Sequence, residues 1–221
     1  MPDIIFNGPD GRLEGRYTHG KARNAPIAVV LHPHPQFGGT MNNKITYTLF
    51  RAYAQAGFSV MRFNFRGVGR SEGYYDEGVG ELADAAAAMD WLQLHNPDRV
   101  GCWIAGFSFG AWIGAQALMR RPEVDGFIFV APGADHYDFA FLEPCPCDGL
   151  IIQGDQDDVV DPNAVGKLAE RLDRKKHDVT YKIIKGAGHF FERELDELQG
   201  IVDSYIADHT KHYNLVIEED D

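Results

Sequence analysis

The chain has 221 residues, of which 44% are hydrophobic and 24% charged, so its composition excludes intrinsic disorder and allows a full core. Its formal net charge of −12 disfavours nucleic acid and anionic membrane surfaces as partners, because the field of the protein repels polyanions. Three cysteines, an odd number in a chain of this length, do not make a disulfide framework.

The N-terminus lacks the basic start and the apolar run of a signal peptide, and no apolar stretch approaches the roughly 20 residues that cross a bilayer. We therefore expect a cytoplasmic protein. No internal repeat or Pro/Ser-rich linker divides the chain, so we expect a single domain over 1–221 that ends in an acidic tail at 212–221. The oligomeric state stays open, and a homo-oligomer is compatible with the sequence.

The predicted elements begin with a β-hairpin, in which strands at 4–7 and 12–18 flank a Gly-Pro-Asp-Gly turn at 8–11. Near-continuous apolar runs then indicate buried strands at 27–32, 59–63, 100–107, 126–131, 150–153 and 179–184. Helical patterns lie between them at 44–56, 80–94, 109–120, 162–172 and 191–209. This alternation predicts the α/β class, with a doubly wound, mostly parallel sheet and helices on both faces.

Ligands bind such sheets beyond the carboxyl ends of the strands, and a nucleophile motif stands at one of these ends. The strand at 100–107 runs into Gly106-Phe107-Ser108-Phe109-Gly110, which a helix follows. A serine on a sharp strand-to-helix turn projects its hydroxyl from the top of the sheet, and the small neighbours let the backbones approach. We predict that Ser108 is a catalytic nucleophile.

A serine hydroxyl needs a general base, and a histidine in turn needs an acid that orients it. His189 follows the last predicted strand in a glycine-containing turn, and three acids follow the strand at 150–153. We predict His189 as the base and Asp157 as the acid, although spacing alone leaves Asp155 and Asp158 open. The chain order Ser, Asp, His is that of α/β-hydrolases and differs from the orders of trypsin-like and subtilisin-like enzymes.

Acyl transfer also needs backbone N–H donors for the developing oxyanion. One donor should be the amide of Phe109, directly after the nucleophile. The second should come from the loop that begins at His32, in which Pro33 and Pro35 have no N–H to give. We favour Gln36, with His34 as the main alternative.

With these positions in place, the chain resembles the α/β-hydrolase superfamily, and more narrowly its small dienelactone-hydrolase-like members. The resemblance spans the loop at 32–43, the Phe-Arg-Gly turn at 65–71, the serine motif, the acidic stretch at 154–160 and Gly188-His189. It implies that the second acid of the Gly-Asp-x-Asp stretch, Asp157, completes the triad, and that an ester or thioester reacts through a covalent acyl-serine. The usual His-Gly of the oxyanion loop is His-Pro here, and dienelactone hydrolase itself has a cysteine nucleophile.

We expect an open site for a small acyl compound, because the interval at 132–149 is too short for a lid domain. His34, Phe37, Trp112 and Phe190 are predicted to line the substrate pocket, and no cofactor or metal is expected. Two alternatives share the same residues. One is a catalytically silent binding module on this fold, and the other is an acyltransferase that uses the same triad.

Overall fold

The computed structural model describes residues 3–173 and 178–217. Eight strands, β1 to β8, form one sheet. In chain order they are Asp3–Gly8, Gly11–Thr18, Ile27–Leu31, Ser59–Phe63, Cys102–Phe107, Gly126–Val130, Asp148–Gly154 and Val179–Ile184. Within the same described residues, five helices, α1 to α5, cover the sheet. They are Lys44–Gln55, Val79–His95, Phe109–Leu118, Pro162–Asp173 and Leu195–His209.

The spatial order of the strands is β1-β2-β4-β3-β5-β6-β7-β8. Strands β1 and β2 form the predicted antiparallel hairpin, and β2 joins β4 in antiparallel register. Every other neighbouring pair is parallel. The prediction of a mostly parallel sheet with an N-terminal hairpin is therefore confirmed.

Helices lie on both faces of the sheet, as the alternation of apolar runs predicted. Side chains of α2, α3 and α4 pack into one core layer, while those of α1 and α5 pack into a second layer on the opposite face. Strands β3 to β6 are buried along their full length, which explains why their sequences are nearly continuously apolar instead of alternating, with Ser59 and Arg62 of β4 as the polar exceptions.

Some predicted boundaries were wrong, and the last helix shows why. It begins at Leu195 instead of 191, because Phe191 has a left-handed backbone with φ of 47° and its amide bonds to Gly188 O. A bulky residue in that conformation cannot continue a right-handed helix. The third helix ends at Leu118, two residues before its predicted end, and β7 runs from Asp148 to Gly154 instead of 150–153.

The predicted acidic tail at 212–221 is described only as far as Ile217, and 218–221 lie outside the described residues. The described part returns to the sheet. Tyr213 accepts a hydrogen bond from Trp103 Nε1 at 3.0 Å, and Ile217 bridges to Ala22. No helix in the described part of the chain combines the length and the apolar character needed to cross a membrane.

The sheet brings the candidate residues together at one edge. After β3 the chain moves outward to β4, then returns to place β5 on the other side of β3, so the strand order reverses between β3 and β5. The loops after these two strands diverge at that point and leave a crevice, where open α/β sheets bind their ligands. The predicted oxyanion loop follows β3, and Ser108 follows β5.

Candidate active site

Ser108 sits on a strained turn between β5 and α3. Its backbone has φ of 54° and ψ of −116°, a region that L-residues rarely occupy. Such a conformation costs on the order of 1–3 kcal/mol and persists only where the surrounding structure enforces it. Backbone strain at a polar residue on the rim where ligands bind indicates a functional position.

The two glycines of the motif are there for steric reasons. A Cβ on Gly106 would lie 2.3 Å from the carbonyl oxygen of Gly110, and a Cβ on Gly110 would lie 2.4 Å from Leu31 O. Both distances are far below van der Waals contact. The turn therefore presses α3 against the ends of β3 and β5, which only glycine permits at these positions.

The Ser108 hydroxyl is available for chemistry. Ser108 occupies the N-cap position of α3, but its side chain does not cap the helix. Among the described residues none is hydrogen-bonded to this hydroxyl, and none accepts a hydrogen bond from the amide of Phe109 at the first position of the helix. An unpaired amide at a helix N-terminus is suited to stabilise negative charge.

His189 is buried in the loop after β8. Its ring packs against Phe107, with centroids 4.9 Å apart, and against Phe190 at 5.1 Å. Its Nδ1 lies 2.9 Å from Asp157 Oδ2. Because the Asp157 carboxylate accepts, Nδ1 carries the proton, and Nε2 of the neutral ring is left as a base.

Asp157 is held by four donors. Its Oδ2 accepts from His189 and from Gln153 Nε2, each at 2.9 Å, and its Oδ1 accepts from the amides of Val159 at 2.9 Å and Val160 at 2.8 Å. Burial raises the pKa of Asp157, but the hydrogen bonds from His189, Val160 and Val159 outweigh burial and lower that pKa below its ordinary value. The carboxylate is therefore ionised at neutral pH.

The other two acids of this loop are placed differently. Asp155 Oδ1 accepts from the Gly186 amide at 2.6 Å, and the Gln156 amide donates to Ala187 O at 3.0 Å, so this stretch ties the loop after β7 to the loop after β8. Asp158 is exposed and has no hydrogen-bond partner among the described residues. Of the three, only Asp157 reaches His189.

Ser108 and His189 line the same cavity, but no hydrogen bond joins their side chains in the described residues. The structure therefore brings His189 and Asp157, the predicted base and acid, into contact, and it places Ser108, the predicted nucleophile, in the lining of the same cavity. Such bonds are often long in proteins without substrate and tighten when a substrate is bound.

The backbone amides of the loop after β3 differ in whether they have a hydrogen-bond acceptor among the described residues. The Gln36 amide, predicted as the second oxyanion donor, donates to His34 Nδ1 at 3.2 Å at the start of a 3-10 turn over Pro35–Phe37. It is therefore occupied, which argues against that prediction. The amide of His34 donates to none of the described residues, and His34 lines the cavity.

Both histidines of this loop are neutral. Burial lowers the pKa of His32 to about 4, and its Nε2 accepts from the Phe65 amide at 3.0 Å while Nδ1 donates to Pro33 O at 2.6 Å. Burial also lowers the pKa of His34. Since His34 Nδ1 accepts from Gln36, its Nε2–H donates to the Tyr75 hydroxyl at 3.2 Å.

The cavity has a volume of about 480 Å³, within the range of small-molecule sites. It is lined by Pro33, His34, Phe37, Gly38, Gly39, Asn43, Ser108, His136, Val159, His189 and Phe190. Three predicted pocket residues, His34, Phe37 and Phe190, are among them. Trp112 is not, because its indole stacks on Tyr137 at 4.4 Å and donates to Asp138 O.

Asn43, His136 and Val159 were missed by the sequence analysis. Val159 lies two residues after Asp157, and its position in the acidic loop was the only signal for it. His136 comes from the segment between β6 and β7, and its Nε2 lies 2.9 Å from Val159 O. That segment, 131–147, holds a single 3-10 turn at Ala140–Leu142 and forms no lid domain.

The three cysteines lie away from this site in the core. Burial raises the pKa of Cys102 to about 12, and burial likewise raises the pKa values of Cys145 and Cys147, so all three remain thiols. The described residues contain no group of three or more side chains arranged to hold a metal ion.

The eight-stranded sheet, the strained serine at its switch point and the buried His-Asp pair define an α/β-hydrolase, in the class of serine hydrolases. Comparison with family models narrows this class. Residues 13–212 match the model described as X-Pro dipeptidyl-peptidase (S15 family), and the chain belongs to this family.

Three proteins are similar to the chain over nearly its whole length. ATU1826 of Agrobacterium tumefaciens, of unknown function and proposed to be an α/β-hydrolase, is 52% identical with a TM-score of 0.93, covering 99% of this chain and 100% of that one. XC6422 of Xanthomonas campestris, an α/β serine hydrolase without a lid, is 34% identical with a TM-score of 0.84 and 94% coverage of both chains. The uncharacterized protein RP471 of Rickettsia prowazekii (strain Madrid E) is 47% identical, covering 99% of this chain and 95% of the relative.

Proposed function

We propose that the protein hydrolyses a small, neutral acyl ester or thioester through a covalent acyl-serine intermediate. Ser108 is the nucleophile, His189 the general base and Asp157 the acid that orients it. One observation carries the proposal. A strained serine with an unpaired hydroxyl shares a cavity with a buried histidine whose other nitrogen is bonded to a buried, ionised carboxylate.

The reaction follows from this arrangement. His189 Nε2 takes the proton of the Ser108 hydroxyl as the oxygen attacks the carbonyl carbon of the substrate. His189 then gives that proton to the leaving alcohol or thiol, and the acyl group remains on Ser108. Water attacks the acyl-serine with His189 again as base, which releases the acid and restores the hydroxyl.

The amides of Phe109 and His34 are proposed to stabilise the oxyanion. Each is without a hydrogen-bond acceptor among the described residues, and His34 lines the cavity next to Ser108. The ring centroids of the two residues lie 4.9 Å apart, so the loop after β3 and the start of α3 adjoin each other. We assign the second donor to His34 instead of Gln36, because the Gln36 amide already has an acceptor.

The lining of the cavity supports a neutral substrate. The described residues place no carboxylate, lysine or arginine in that lining, and its apolar part includes Phe37, Val159 and Phe190. A dipeptidyl-peptidase must bind the ammonium group at the start of its substrate, for which a carboxylate is the ordinary partner. We therefore propose ester chemistry and do not extend the family's peptidase description to this chain.

The proposal is tested by hydrolysis of p-nitrophenyl esters, neutral thioesters and lactones, together with labelling by a fluorophosphonate. The native chain should take up the label and hydrolyse esters, and Ser108→Ala should lose both. Ser204→Ala is the matched control, because Ser204 lies exposed on α5 and its hydroxyl bonds to Gly200 O and to no other described residue. Absence of label on the native chain would favour a silent binding module, and acyl transfer to an added alcohol in preference to water would favour an acyltransferase.

A further inference from the structure

Asn43 is a polar residue of the cavity lining that the proposed reaction does not use. It stands at the N-cap of α1, immediately after the glycine-containing loop that follows β3. Its side-chain Oδ1 accepts from the amides of Ile45 at 2.9 Å and Thr46 at 3.4 Å. The oxygen of the side-chain amide is therefore committed to the helix, and this fixes the direction of its nitrogen.

The backbone around Asn43 is fixed more firmly than a helix cap requires. The amide of Asn43 donates to Thr40 O at 3.0 Å. At the two preceding residues, Arg62 Nη1 donates to Met41 O at 2.5 Å and to Asn42 Oδ1 at 2.7 Å. On the other side of Met41, its amide donates to Asn64 Oδ1 at 2.8 Å.

Arg62 is an unusual anchor for such a loop. Its side chain lies in the buried strand β4, the residue is only 6% exposed, and no carboxylate of the described residues forms an ion pair with it. Its guanidinium lies over the rings of Tyr47 and Phe50, 5.2 and 5.3 Å from their centroids. Burying a cation without an anion is costly in free energy. We infer from this cost that the position of the loop that Arg62 holds is important.

These contacts leave the Nδ2 group of Asn43 as a donor with a fixed orientation. None of the described residues accepts a hydrogen bond from it, although Asn43 lines the cavity that contains Ser108. Asn43 is half-buried, so its Nδ2 group loses contact with water when a substrate fills the cavity. A ligand that lacks an acceptor at this point leaves the donor unpaired, so the donor selects for ligands that supply one. The surrounding lining is neutral, so the matching acceptor is uncharged.

We propose that Asn43 determines specificity by donating from Nδ2 to a neutral acceptor oxygen that the substrate carries in addition to its scissile carbonyl. The substrate class is thus an acyl ester with a second oxygen, such as an ether, a hydroxyl or an additional ester. This inference rests on the proposed hydrolase function and deepens it. The oxygen belongs either to the acyl part or to the alcohol part, and these two sources are separated by experiment.

The experiment compares ethers with their carbon isosteres. For the acyl part, the p-nitrophenyl esters of methoxyacetate, 3-methoxypropanoate and 4-methoxybutanoate are paired with butanoate, pentanoate and hexanoate. For the alcohol part, 2-methoxyethyl butanoate is paired with butyl butanoate. Each pair is measured on the native chain, Asn43→Asp and Asn43→Ser. Both substitutions keep an oxygen at the N-cap, where Asn, Asp and Ser are about equally effective, but remove the amide donor.

We expect kcat/KM for at least one ether ester to fall by about three- to tenfold more than kcat/KM for its carbon isostere in both variants, the range of one neutral hydrogen bond. The native-to-variant ratio cancels the intrinsic reactivity of each ester. Unchanged thermal unfolding and unchanged fluorophosphonate labelling would show that the fold and the nucleophile are intact. Equal losses on ethers and isosteres, or no loss on either, would overturn the inference. A native chain that is neither labelled nor active would instead overturn the proposed function.

Discussion

Replacing Asp157 by asparagine tests the candidate triad at its best-defined contact. The carboxylate accepts four hydrogen bonds, whereas an amide has only one accepting oxygen. If that oxygen keeps the amides of Val159 and Val160, the new NH₂ group faces Gln153 and His189. The fold can adapt, because Gln153 Oε1 is buried without a partner and rotation of the side-chain amide presents it to the new donor.

His189 adapts in a way that removes the base. Its Nδ1 must now accept from the asparagine, so the proton moves to Nε2, and Nε2 no longer accepts a proton from Ser108. The wrong tautomer in a serine triad lowers kcat by about 10⁴-fold, which corresponds to about 5 kcal/mol on the barrier. The cost in unfolding free energy should be smaller, about 1–3 kcal/mol, because the amides of Val159 and Val160 keep their acceptor and the loss is confined to Gln153 Nε2, which rotation takes away from Gly154 O.

The assay is kcat/KM on a p-nitrophenyl ester, together with the rate of fluorophosphonate labelling and urea unfolding of each variant. Asp158→Asn is the matched control, since that acid is exposed and should change activity less than about twofold. Equal activity of Asp157→Asn and the native chain, or a loss in Asp158→Asn as large as in Asp157→Asn, would refute the assignment of the acid.

Two further predictions concern stability. Gly110→Ala should destabilise the protein by about 2 kcal/mol or more in urea unfolding, because its Cβ would lie 2.4 Å from Leu31 O. Gly200→Ala in α5, where a Cβ meets nothing within 4 Å, should instead stabilise by up to about 1 kcal/mol. Lowering the pH should reduce the free energy of unfolding between about pH 6.5 and 4 by about 3 kcal/mol, since unfolded His32 takes up a proton that the buried ring, with its pKa of about 4, resists. This loss of unfolding free energy should be smaller in His32→Gln. A loss of the same size in that variant would show that groups other than His32 cause the pH dependence.

The fold was predictable because its signals are local and repeated. Strands β3, β5 and β6 are apolar along their length and β4 is largely so, and such runs are typical of a sheet covered on both faces. The serine motif was equally easy to recognise in the sequence, because the close approach of Gly106 to Gly110 requires glycine at both positions. Chain order then related Ser108 to the acid and the histidine without any knowledge of distances.

What could not be predicted depends on where backbone groups point. Residue types in the loop after β3 exclude the prolines as donors, but they do not reveal that the His34 ring accepts from the Gln36 amide. Trp112 stands one turn along α3 from Ser108, yet its indole stacks on Tyr137, which belongs to the segment between β6 and β7. His136 lines the cavity from that same segment, and no sequence motif contains it.

The charge of the chain bears on which acyl donors reach the site. The net charge of −12 produces a field that repels anions, and the described residues place no lysine or arginine in the cavity lining to offset it. An acyl thioester of coenzyme A carries several negative charges, whereas the same acyl group on N-acetylcysteamine is neutral. Both present the same bond to Ser108.

We therefore expect kcat/KM to be higher for the neutral thioester than for the coenzyme A thioester, and the difference to narrow as ionic strength rises. Screening acts on the charged substrate alone, because the Debye length falls from about 30 Å at 0.01 M salt to about 10 Å at 0.1 M. Hydrolysis rates of both thioesters over this salt range measure the effect. A coenzyme A thioester that is preferred at low salt, and that loses rate as salt is added, would require a basic surface near the cavity and would contradict the neutral-substrate proposal.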